Sequence, residues 1–182
     1  MTPTYPLPQD FTADRTLPGG HYSLERVFPG IGASPALVQA IPDDTQRAHI
    51  IATTQVEIAI ENVHYMRVAA DDGRVMVGLL YLAEGPIVEL YLDLVHELTH
   101  VRQFHEGLDL YDRSVSYVDR PTEIEAYAVA VTEARRIGYS DRDIHLYLDV
   151  HWVTEEERVR LATRLGVPPV ASGSDGTVPA SG

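Results

Sequence analysis

The run LVHELTH at residues 94–100 places two imidazoles and a carboxylate within one short segment. His96 and His100 are four residues apart, which on a helix is about 40° of rotation and roughly 6 Å of rise. Both side chains then leave the same face and can bind one ion. Glu97, one position after His96, can reach a water on that ion and is placed as a base rather than as a ligand. It would take a proton from that water and pass it to a leaving amine. The same three positions could equally be two surface histidines flanking a solvated glutamate. Against that, the other residues of the run are bulky and apolar, as a buried helix requires. The chain has no cysteine, so it has no disulfides and any metal must use His, Asp or Glu.

A catalytic zinc, Zn2+, needs a third protein ligand and an open fourth position. A metzincin pattern would put glycine at 103 and histidine at 106, but the chain has Gln103 and Glu106 there. His105 is five residues from His100 and points to another face. Two acidic residues in PTEIEA, Glu123 and Glu125, remain as candidates; acidic residues are also favoured in the first turn of any helix.

HELTH at 96–100, followed by E-x-E-A at 123–126 opening a helix, resembles the gluzincins, and among them the compact minigluzincins and the ImmA/IrrE-type metallopeptidases. The resemblance covers roughly residues 65–138. It implies a small sheet, a helix bearing both histidines and a following helix that gives a glutamate. It also implies a regulatory protease that cuts a repressor. In such families the ligand is the first glutamate of E-x-E-A-D/N, which maps to Glu123. Tyr127 occupies the Asp/Asn position, a departure that bears on the partner of the ligands. The helical pattern independently prefers Glu123, whose stripe runs through Tyr127, Ala130 and Ala134 and looks inward. The stripe of Glu125 runs through Val129, Thr132 and Arg136 and looks more exposed. Glu123 is therefore assigned as ligand, with Glu125 supporting it or replacing it. Tyr127, Tyr111, Tyr117 and His145 are candidate donors to the oxyanion of a tetrahedral intermediate. His21, His49, His64 and His151 carry no spacing signal.

These groups need elements to hold them. SPALVQAI predicts a short helix capped by Ser34 with Pro35 in its first position. In DDTQRAHIIATTQVEIAIEN, Asp43 or Asp44 can cap a helix, and Ala48, Ala52, Val56, Ala59 and Val63 recur at helical spacing. Val56, Ile58 and Ile60 also alternate as in a strand; a helix ending near Asn62 is the expectation. HYMRVA and RVMVGLLYLA flank DDG, a hairpin signal, and EGP turns the chain into PIVELY. The result is a three-stranded antiparallel meander. Its PIVEL strand would lie at the edge of the metal cleft, where an extended peptide could add; the alternative is an ordinary edge, kept from aggregating by Glu89. LDLVHELTHVRQFHEG is the active-site helix, with Leu94, Leu98, Val101 and Leu108 as its apolar stripe and Gly107 at its end. YDRSVSYVD is a loop. Asp119 and Pro121 start a helix closed by Gly138. Ser140 with Asp143, and Thr154 with Glu157, cap two more. Trp152 falls near a helix junction and is read as core.

The expected fold is α+β: a small antiparallel meander on an active-site helix and a glutamate helix, with further C-terminal helices, in a zincin-like arrangement. The 182 residues suit one domain, taken as 21–166, with an extended proline-rich arm at 1–20 and a Pro/Gly/Ser-rich disordered tail at 167–182. A hydrophobic fraction of 45% is ordinary for a globular protein, and no apolar run is long enough for a membrane helix. A net charge of −13 repels phosphate backbones, so no direct nucleic-acid binding is expected. The first residues lack the features of a secretory signal, which favours the cytoplasm. The leading function is a zinc peptidase acting on a peptide or protein. A metal-stabilised binding module and a small-molecule amidohydrolase are the alternatives. A general base at Glu97 argues against the first alternative, and an open groove would argue against the second.

Overall fold

The structure, a computed structural model, describes residues 5–60 and 65–169. It is α+β, with a four-stranded mixed sheet and helices that include two long ones. The strands are β1 (Gly20–Ser23), β2 (Gln55–Ala59), β3 (Met66–Val68) and β4 (Val75–Gly78), in the order β1-β2-β4-β3. β1 pairs antiparallel with β2, β2 parallel with β4, and β3 antiparallel with β4. β4 thus inserts between β2 and β3 and leaves β3 at an edge. The helices are α1 (Leu24–Val27), α2 (Ala36–Ala40), α3 (Asp44–Thr53), α4 (Leu79–Glu84), α5 (Ile87–His105), α6 (Pro121–Arg136), α7 (Asp141–Tyr147) and α8 (Glu155–Arg164). α5 runs along β3 and β4 and packs its other side on α6.

Three expectations about the first half are corrected. The segment after Asp44 is not one helix to Asn62. α3 stops at Thr53, and Gln55–Ala59 is a strand whose Val56 and Ile58 are buried. Both periods are present there, and pairing with β1 on one side and β4 on the other selects the strand. Asn62 itself lies outside the described residues. The meander is not antiparallel throughout, and RVMVGLLYLA is a strand only to Gly78, where α4 begins. PIVELY is not a strand either. Pro86 precedes the first turn of α5, and Leu90, Tyr91 and Leu92 are fully buried as helix residues. An apolar run this short does not distinguish a strand from a buried helix.

The DDG hairpin forms between β3 and β4, with Gly73 at φ 76° and its N–H donating to Ala69 O. α5 ends where Gly107 allows it. At φ 77°, Gly107 lets Leu108 N–H reach back to Gln103 O, a bond that closes the helix. Leu94, Leu98 and Val101 form the buried stripe, but Leu108 lies past the helix and is exposed. α6 starts at Pro121, and Tyr139 N–H bonds Ala134 O after Gly138. Asp43 caps α3, and both C-terminal capping boxes form. Ser34 does not cap α2. Its hydroxyl is bonded to the Tyr91 hydroxyl at 2.6 Å, in a buried chain that continues to Glu133. The proline-rich segment before β1 lies against the body. Phe11 and Leu17 are buried, and Arg15 donates to Leu82, Ala83 and Gly85 carbonyls at the end of α4.

Candidate metal centre

His96 and His100 leave one face of α5 toward the first turn of α6, which carries Glu123. The two Nε2 atoms are 3.0 Å apart, and each is 3.4 Å from Glu123 Oε2. In a tetrahedral zinc site with bonds of about 2.0–2.1 Å, ligand atoms stand about 3.3 Å from one another. The triangle therefore has the dimensions of three ligands around one ion. All three residues are about 95% buried, and Glu123 Oε2 has no hydrogen-bond partner. Among the described residues this is the one group of three or more His, Asp or Glu side chains that could hold a metal ion.

The tautomer of His100 is fixed by its neighbours. Gln103 Nε2 donates to Thr122 O at 3.1 Å and to Glu125 Oε2 at 2.7 Å, both pure acceptors. Its Oε1 therefore faces His100 Nδ1, 2.7 Å away, and Nδ1 carries the proton. In the neutral imidazole, Nε2 then keeps its lone pair turned to the triangle, as metal binding requires. Glu125 is held in turn by Arg102 at 2.6 Å, and Arg102 also donates to Ala40 O. Glu125 thus lies behind the ligands and supports His100 through Gln103. Gln103 was missed by sequence reading, because only the spacing from His100 and the approach of α6 give it a role. His96 is less supported. Tyr127 turns its ring against the His96 ring at 4.4 Å, and His96 Nδ1 has no partner among the described residues.

Charge follows the same geometry. Burial lowers His96. Burial also opposes charge on His100, but Glu123 overrides it and lifts His100 to about 9. Burial pushes Glu123 up, and the two histidines outweigh it and hold the carboxyl well below the usual range. Burial pushes Glu97 up to about 8. Glu97 is not a corner of the triangle; its neighbours include the backbone of Val68 in β3.

A cleft follows this face, with one lobe of about 370 Å³ beside His100 and Glu123 and another of about 280 Å³ toward the start of α5. His96 and Glu97 belong to both. Tyr111 and Tyr117 line the first lobe, Tyr117 and Tyr127 the second. The Tyr111 hydroxyl bonds Val68 O, and the Tyr117 and Tyr127 hydroxyls are 3.0 Å apart. His145 is not brought to the site; it bonds Pro168 O and Arg158 elsewhere. His105 faces away, next to His49. Trp152 is not core. It is 42% exposed and stands with His151 on the cleft wall, against Tyr65 and Tyr117. Nothing in the spacing of 149–152 indicates this, because α7 carries the segment there. His64 lies outside the described residues. In comparison with known proteins, no family model, curated protein or solved structure matches the chain.

Proposed function

We propose that the chain is a zinc-dependent peptidase of zincin-like architecture, in which His96, His100 and Glu123 hold the ion and Glu97 moves the proton. The observation that carries this reading is the triangle of Nε2, Nε2 and Oε2 with a buried carboxylate beside it that is not part of it. Two imidazoles and one carboxylate suit zinc and leave an open position. When bound, the ion would act as a Lewis acid on a water and on the scissile carbonyl. Glu97 would accept a proton from a water held there and deliver it to the leaving nitrogen. Burial keeps the Tyr117 and Tyr127 hydroxyls protonated, so this pair is the source of a hydrogen bond to the developing oxyanion.

The edge for an extended substrate is β3 rather than PIVEL. Tyr65 O accepts from Gly78 N–H and Ala69 N–H donates to Arg74 O, so alternation turns the polar groups of Met66 and Val68 outward to the cleft; Val68 O is taken by Tyr111 and Val68 N–H by Glu97, which leaves Met66 as the pairing position. A peptide pairing there would pass the metal group. A cleft that continues on both sides of Glu97 favours such a chain over a small amide. The gluzincin resemblance, its regulatory role in cutting a protein partner, and a cytoplasmic location belong to the same proposal. The test is Glu97→Gln with a peptide library and a mass readout. The amide keeps shape and zinc but accepts no proton, so hydrolysis should fall by at least about 10²–10⁴. Equal cutting by the zinc-loaded variant and the original chain would remove Glu97 from the mechanism.

A further inference from the structure

The two lobes of the cleft differ in charge. The lobe beside His100 carries Arg67 and Arg120 on its wall. The lobe toward the start of α5 has no arginine among its described lining residues; it carries Asp93, Glu89 and Asp149, with Tyr81, Tyr147 and Trp152 as aromatic walls. Asp93 lies three and four residues before His96 and Glu97, hence on their face of α5. The Tyr81 hydroxyl donates to Asp93 Oδ2 at 2.5 Å, and Tyr147 bonds the same carboxylate. Of the buried carboxylates, Glu133 has Arg136 and Glu123 has the two histidines, while Glu97 has no ion pair among the described residues. Asp93 has no such ion pair among the described residues. Burial pushes it up to about 6 despite both hydroxyls, so the site disfavours its charge. An incoming cation would relieve that cost, and aromatic faces attract one.

On the same wall, His96 lines this lobe, and its buried Nδ1 is unpartnered among the described residues. A basic residue of a peptide meets the demand of Asp93 through its side chain. At about 280 Å³ the lobe is just below the roughly 300–1,000 Å³ of ligand pockets, a size for one residue rather than a large molecule.

We propose that the tyrosine-walled lobe around Asp93 is a subsite for an organic cation of the substrate, an ammonium or guanidinium borne by a lysine or arginine side chain or by a free amino terminus. Its role in selection rests on the peptidase reading; the binding itself does not. The chain's single tryptophan stands on the wall, so its fluorescence reports occupancy without turnover. Zinc-loaded full-length chain is titrated with Nα-acetyl-lysine amide, Nα-acetyl-arginine amide, the neutral Nα-acetyl-norleucine amide, and norleucine amide with its free amino group. The expected result is a saturable change with the acetylated cations, at least about tenfold weaker with acetyl-norleucine amide and in Asp93→Asn. Asp93→Asn keeps an acceptor for Tyr81. Glu89→Gln, exposed at the rim, should shift binding in the same direction by less, and it serves if Asp93→Asn does not fold. Binding of norleucine amide in place of the acetylated cations would assign the lobe to an amino terminus. Equal responses to cationic and neutral probes, or none to any, would overturn the proposal. Hydrolysis of N-acetylated peptides is followed in parallel. Cation binding without cutting would keep the subsite and sink the peptidase; cutting with no preference for basic residues would do the reverse.

Discussion

At the scale of residues, the site separates atoms that could touch an ion from atoms that orient them. Glu123 supplies the third corner of the triangle, and its Oε2 has no other partner. Glu125 supplies none, since its oxygens are taken by Gln103 and Arg102. Competitive titration against a chelator should therefore rank three variants. Glu125→Ala and Gln103→Leu should each weaken zinc binding by about 10–100-fold, the usual range for a group that holds a ligand in place. Glu123→Ala should weaken it by more. Equal losses for Glu123→Ala and Glu125→Ala would contradict the assignment. The three corners and Glu97 are legible in sequence because helical spacing alone puts His96 and His100 on one face, and the stripe through Tyr127, Ala130 and Ala134 turns Glu123 inward. Gln103 and Asp93 are not legible. Each is one polar residue on a helix until α6, α4 and α7 close around it.

At the scale of elements, α5 holds the site and the β3–β4 hairpin fixes how closely the sheet edge approaches it. The hairpin turn meets α5 at Gly73, whose φ of 76° disfavours a side chain. A Cβ there would stand 2.5 Å from Phe104 Cδ1 on α5. Gly73→Ala should cost more than about 1 kcal/mol in urea unfolding, because both the backbone and the contact resist it. A change within about 0.5 kcal/mol, as at an ordinary surface site, would show that the turn does not fix the packing. The long helices were readable because their periodicity extends over several turns and their ends carry Pro121, Gly107 and Gly138. The sheet was not. Gln55–Ala59 satisfies two periods, and its partners are β1, thirty-odd residues earlier in the chain, and β4, across the hairpin. PIVELY reads as a strand because an apolar run that short lacks a second helical turn to declare itself.

At the scale of the whole molecule, the sheet, α5, α6 and the proline-rich segment before β1 share one core. Among the described residues no helix is long and apolar enough to cross a membrane. The net charge is −13, and an acidic lobe lies beside the His96–His100–Glu123 triangle. Because α5 and α6 meet at the triangle, an ion there ties the two largest helices together. At a free zinc concentration a hundredfold above Kd, the folded state should gain about 2.7 kcal/mol, seen as a higher Tm that chelator reverses. The central claim is that the triangle is a zinc site, and the most direct measurement is elemental analysis of chain purified without chelator, followed by zinc titration of the stripped protein. The account predicts one zinc per chain, regained on titration and lost in Glu123→Ala. Less than about a tenth of an equivalent, with no uptake on titration, would contradict it.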